Sequence, residues 1–314
     1  MAAALRASGL FIAPGRMGTE KYFLTEIIYS LLEGSNTLSW SIALFLCIFQ
    51  AVYINAFMNN YRMMREINYM PAAIYTVLVC SIPDFIYLSP VLMAQTFVII
   101  ALEQIFNIYR KPEASKSIYN IGFWMGIACL FYYPTIILLL GGIIGLSIMR
   151  AFKFHEYVML MVGFCTPVYL SIIVYYSVTG NLYTIDPDSI RAQLVVFSFL
   201  ELPMAGWIQL TGFIFLVLWA LFSMQINFSK NNIQVQKNLT VCMWFMLLIG
   251  FTFIYKPGFG FEHLLFLTLP LVVLISYSFL AMQRRDLSEG LFLGLILFSL
   301  ANQYQDLIFL QFVE

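Results

Sequence analysis

Ten apolar runs, separated by charged or proline-containing connections, fill most of the chain between residues 38 and 310. They fall at 38–58, 70–82, 90–108, 118–132, 134–149, 156–178, 205–224, 239–255, 262–281 and 288–310. A helix crosses the hydrocarbon of a bilayer with about 20 mainly apolar residues, fewer where neighbours bury it. The pattern therefore predicts an all-α fold: a polytopic integral membrane protein with about ten transmembrane helices. The second, fourth and fifth runs are short, and Pro83, Pro90 and Pro134 stand at their ends. Such segments read as broken or half-crossing helices, tolerated only where protein covers the freed backbone groups. Composition agrees, because only 10% of the 314 residues are charged, against roughly 25% in soluble domains.

Orientation follows from the basic residues, which stay on the cytoplasmic side. Alternate connections carry Arg62 and Arg65, then Arg110, Lys111 and Lys116, then Arg150 and Lys153, then Lys230 and Lys237, then Arg284 and Arg285. The opposite set carries only Arg191 and Lys256. Arg6, Arg16 and Lys21 precede the first span and fall on the outer side.

One membrane domain over 1–314 accounts for the chain, with an outer amphipathic segment at 1–36, a transmembrane bundle at 37–310 and an outer loop at 179–203. The opening "MAAALRASGLFIAPGR" holds an apolar core too short for a secretory leader or a span. Beyond it, "EKYFLTEIIYSLLEG" (20–34) puts Phe23, Ile27 and Leu31 on one helical stripe with Leu24, Ile28 and Leu32 beside it, while Glu20, Lys21, Glu26 and Glu33 face away. This predicts an amphipathic helix on the outer membrane surface. A second outer helix is expected after Asp186 and Pro187, capped by Asp188 or Ser189. Glycines at 122 and 126, and at 141, 142 and 145, have the spacing that lets helices approach closely.

Few side chains are left for chemistry. The five cysteines (Cys47, Cys80, Cys129, Cys165, Cys242) lie in apolar runs without CxxC spacing and read as small buried hydrophobes. With His155 and His263 as the only histidines, a multi-histidine metal site cannot form within one chain. No metal or cofactor is expected, and no nucleic acid either, since acidic and basic residues balance at sixteen each and leave no net charge to attract one. Glu262 and His263 sit together at the outer mouth of a span, on the same side as Glu20, Glu26, Asp84, Asp186, Asp188, Arg191, Glu201 and Lys256. Such a set can assemble into one outward-facing polar cluster, although single aspartates in turns serve local backbone purposes. Deeper in the membrane, Glu103 reads as an interfacial acid able to pair with Arg110 or another basic group. Gln50, Asn55 and Asn120 read as interhelical hydrogen-bond formers. The run "NQYQD" (302–306) is too polar for lipid and must face protein or a water-filled cavity.

The succession "MNNYRMMREINYMPAAIY", "LSPVLMAQTFVIIALEQIF", "YNIGFWMGIACLFYYPTIILLLGGIIGLSIMR" and "FEHLLFLTLPLVVL", following an acidic outer segment, resembles the class C glycosyltransferase superfamily over about residues 38 to 282. It is also similar to a family of multi-pass inner-membrane proteins of Gram-negative bacteria. The resemblance implies a polytopic enzyme that takes sugar from a polyprenyl-phosphate donor at the extracytoplasmic face. Class C enzymes carry a span and then a catalytic acid, often one of a pair; here that place holds Glu20, with Glu26 further on. By the resemblance, Glu20 or Glu26 would be the general base, and Arg191, Lys256 and His263, with Glu262 beside them, would hold the donor and neutralise its leaving phosphate. Two other readings remain: a non-catalytic subunit of a cell-envelope assembly with membrane-protein partners, and a transporter. The transporter ranks last, because its usual inverted repeats cannot be matched between the two halves.

Overall fold

The computed structural model describes residues 22–32, 35–64, 67–81, 88–180, 204–228, 231–255, 263–281 and 285–303. All regular structure among them is helical: α1 (Phe23–Leu32), α2 (Asn36–Asn60), α3 (Met70–Val79), α4 (Pro90–Asn107), α5 (Ser115–Phe131), α6 (Ile136–Met149), α7 (Phe154–Thr179), α8 (Met204–Phe228), α9 (Ile233–Tyr255), α10 (His263–Ala281) and α11 (Arg285–Gln303). Each of the ten apolar runs coincides with one helix, α2 to α11. Three stretches, Thr37–Asn60, Pro90–Asn107 and Phe154–Ser177, are long and apolar enough to cross a membrane.

Local chemistry sets the boundaries. At α4, Ser89 has extended backbone, its Oγ accepts from the Leu92 N–H at 3.2 Å, and Pro90 occupies the first helical turn, where its missing N–H has no partner to lose. Between α5 and α6 the backbone of Tyr132 is extended, and Pro134 lies in a single 3-10 turn. That break turns the fourth and fifth runs back on each other as an antiparallel pair. α7 ends on Gly180, whose φ of 69° is the left-handed cap geometry that glycine adopts without strain.

Burial ranks the helices from centre to rim. Residues Leu264 to Phe279 of α10 are buried on every face, enclosed by α3, α4, α8 and α9. Within its apolar stretch α4 is 72% buried, α2 44% and α7 only 17%. α7 thus presents Val158, Val162, Tyr169, Leu170 and Val174 outward, a continuous apolar face of a size that soluble monomers rarely show. Cys165 lies on that face and is exposed, unlike Cys47, Cys80, Cys129 and Cys242, which are buried. The expectation of five buried cysteines therefore fails at one position, because α7 is a rim helix. α3 has 10 residues, about 15 Å at 1.5 Å per residue, which is half a bilayer. Protein covers it on α2, α10 and α11, as a half-crossing helix requires.

Polar side chains clamp the centre. Gln50 on α2 donates to the Leu92 carbonyl at 2.8 Å and to Thr96 Oγ1 at 2.6 Å, while the Tyr75 hydroxyl of α3 donates to Gln50 Oε1. Gln95 of α4 donates to Thr268 of α10 at 3.1 Å. Gln50 is the interhelical bonder its position predicted, whereas Asn55 leaves its buried Oδ1 without a partner and Asn120 forms no side-chain bond among the described residues. Gln50→Leu should cost about 1–2 kcal/mol, since it removes the bonds from α2 to the Leu92 carbonyl, Thr96 and Tyr75 in a buried interior. Tyr75→Phe in that background should add almost nothing. Thermal unfolding of the two variants checks this, and equal midpoints for wild type and Gln50→Leu would contradict it.

Candidate functional site at the α1 end of the bundle

α1 lies against one end of the bundle, held by aromatic rings. Tyr22, just before the helix, is buried and meets Tyr132 and Tyr133 edge-on, with ring centroids 5.1 and 5.2 Å away. Tyr132 in turn packs on Phe266 in the first turn of α10 at 5.8 Å. Phe23 meets Tyr175 near the end of α7 at 5.9 Å, and the Tyr29 hydroxyl donates to the Leu88 carbonyl at 3.1 Å. Thr25 starts the helix: its Oγ1 accepts from the Tyr22 N–H at 3.1 Å and donates to the Tyr22 carbonyl at 2.9 Å, as the third-position member of a capping box does.

The helix splits its apolar surface differently from the simplest expectation. Leu32 is buried and Leu24 and Ile28 pack on the core, whereas Ile27 is 45% and Leu31 76% exposed. One stripe thus faces protein and its neighbour is bare, the arrangement of a surface helix whose second apolar face meets acyl chains. Glu26 is exposed, as predicted, and its carboxylate has no hydrogen-bond or ion-pair partner among the described residues.

Of the other residues assigned to the site, Glu20, Arg191, Lys256 and Glu262 lie outside the described residues, as do Asp84, Asp186, Asp188, Glu201 and the 181–203 loop. The His263 side chain lies outside them too, but its backbone opens α10 three residues before Phe266. The helix carrying Glu26 and the helix opened by His263 are therefore joined at one end of the bundle through Tyr22, Tyr132 and Phe266. Sequence reasoning missed these three rings. They are the side chains that fix the geometry, and an interrupted "FYYP" between two short runs was the available signal.

Glu103 takes a different partner from the basic one expected. The Tyr53 hydroxyl of α2 donates to its Oε2, and Arg110 instead places its guanidinium 5.4 Å from the centre of the Tyr109 ring. Just beyond α2, burial and then the Glu103 carboxylate push the Tyr61 phenol up to about 12, so it is neutral at physiological pH. Glu103 thus takes its hydrogen bond from a phenol rather than pairing with a cation, which suits a structural acid. No group of three or more His, Cys, Asp or Glu side chains that could hold a metal exists among the described residues. Of "NQYQD", Asn302 is buried, and 304–306 lie outside the described residues. Compared with protein-family models, with curated proteins and with solved structures, the chain matches none.

Proposed function

We propose that the chain is a ten-span protein of the bacterial inner membrane whose α1 end faces the extracytoplasmic side and handles a lipid-linked sugar there, as class C glycosyltransferases do. In this reading Glu26, with Glu20, is the general base toward an acceptor hydroxyl. Arg191, Lys256, Glu262 and His263 hold the polyprenyl-phosphate donor, the cations stabilising the leaving phosphate. The supporting observation is the bracket of Tyr22, Tyr132 and Phe266, which anchors a helix whose Glu26 carboxylate has no partner among the described residues beside the start of α10. The exposed Ile27 and Leu31 give that helix an apolar edge for lipid.

The transporter reading gains less, because Gln50, Tyr75, Thr96, Gln95 and Thr268 tie α2, α3, α4 and α10 together by hydrogen bonds. A subunit role is distinguished by experiment. In reconstituted membranes with a polyprenyl-phosphate-linked sugar, Glu26→Gln should lower transfer by at least about a hundredfold, the usual contribution of a positioned base. Full transfer by both Glu26→Gln and Glu20→Gln would remove the assigned bases. A wild type that transfers nothing, yet leaves the membrane with a stoichiometric protein partner, would favour the subunit. Orientation has its own check: Glu26→Cys should react with an impermeant thiol reagent from outside, and Lys111→Cys only from inside.

A further inference from the structure

At the opposite end of the bundle, the α4–α5 and α6–α7 connections and the start of α9 border an open surface cleft of about 570 Å³, within the range of small-ligand sites. Among the described residues five cations line it, Arg110, Lys111, Arg150, Lys153 and Lys237, and no acid does. Local structure orders two of these cations. Arg110 sits at the left-handed φ of 54°, uncommon for a residue with a side chain. The Lys237 ammonium lies 5.3 Å from the centre of the Tyr109 ring, and the Arg110 guanidinium lies 5.4 Å from it. Arg150 is already engaged, with the nearby buried acid Glu156 at 3.0 Å, and the other four have no carboxylate partner among the described residues. Glu113 is exposed on the adjoining connection and does not line the cleft.

We infer that this cleft binds a phosphate group, with Arg110 and Lys237 as its principal cations. Four uncompensated cations around one cavity call for a multiply charged anion, and the forked donors of arginine suit phosphate oxygens. The first backbone N–H groups of α9, at Ile233, add the positive end of a helix dipole. Two sources supply that chemistry: an anionic lipid headgroup, or a soluble phosphorylated compound. Phe152, Phe154 and Ile233 are exposed at the rim, where they would enter the headgroup layer beside a lipid phosphate.

Basic residues gather at the cytoplasmic end of any multi-pass protein, so the control is a cation of the same end outside the cleft. Lys116, exposed on the first turn of α5, is that residue. The full chain is placed in phosphatidylcholine nanodiscs, and its thermal midpoint is followed as phosphatidylglycerol is mixed in or inorganic pyrophosphate is added. Arg110→Gln with Lys237→Gln should weaken the apparent affinity read from that response by about thirtyfold, about 1 kcal/mol per cation, while Lys116→Gln leaves it intact. Loss confined to the phosphatidylglycerol arm assigns a lipid headgroup, and loss confined to the pyrophosphate arm assigns a soluble phosphate. Should the double variant not fold, the exposed Lys153→Gln takes its place. No response in either arm, or an equal loss in Lys116→Gln, overturns the site.

Discussion

Gly122→Leu is expected to remove most of the folded protein. A Cβ at this position would lie 2.0 Å from the Leu160 carbonyl oxygen and 2.7 Å from the Phe164 nitrogen, both backbone atoms of α7. Gly163 on α7 mirrors it, its Cβ falling 2.2 Å from the Tyr119 carbonyl oxygen of α5. A flexible side chain could swing aside; a helix backbone cannot, so α5 and α7 must separate along the crossing. Overpacking in a core costs about 1–3 kcal/mol when side chains can adjust, and here the loss should exceed that range. Close backbone packing is also the main source of helix association in lipid, where apolar surfaces gain nothing from leaving acyl chains. Gly163→Leu should behave alike. Gly250→Ala and Gly294→Ala meet nothing within 4 Å, and should be neutral or slightly stabilising through better helix propensity. Size-exclusion profiles and thermal midpoints of the four variants in detergent read this directly. A Gly122→Leu protein as stable as wild type would mean that α5 and α7 do not cross as described.

The apolar runs located helices well because hydrocarbon thickness and backbone satisfaction leave little choice of element. Errors arose where a charge was taken as a boundary. The eighth apolar run was expected from 239, yet α9 begins at Ile233, because Lys237 is carried inside it with its ammonium over Tyr109. Glu103 was matched to Arg110 by nearness along the chain. Arg110 lies beyond the end of α4 with its backbone in the left-handed region, and the parallel neighbour α2 brings Tyr53 to the carboxylate instead. The Gly122 and Gly126 spacing did announce a close crossing, but its partner, Gly163, required the packing of α5 on α7. At the candidate site, the exposed face of Glu26 was legible from periodicity alone. The ring bracket beneath it was not, since Tyr22, Tyr132 and Phe266 come from three distant stretches of a chain that is 17% aromatic.

Arg150→Leu should be the most damaging loss of a single charge. Its guanidinium meets Glu156 Oε1 at 3.0 Å, and the two side chains are 12% and 6% exposed. Its other nitrogen donates to the Lys111 carbonyl, so one side chain fastens the α4–α5 connection to the α6–α7 junction. Glu156 Oε2 has no partner, which leaves the carboxylate dependent on Arg150. Removing one member of a buried pair typically costs about 3–5 kcal/mol, because the survivor is stranded, whereas replacing both by apolar residues is often near neutral. Thermal unfolding of Arg150→Leu, Glu156→Leu and the double variant should show two large single losses and a double variant closer to wild type, short by the bond to Lys111. Two small losses that simply add would place the pair in water. Glu156→Gln carries the logic across to the cleft: it keeps the packing while releasing the Arg150 charge, so phosphate binding there should tighten even as stability falls. Opposite signs in those two readouts are hard to obtain unless Glu156 is what restrains the fifth cation.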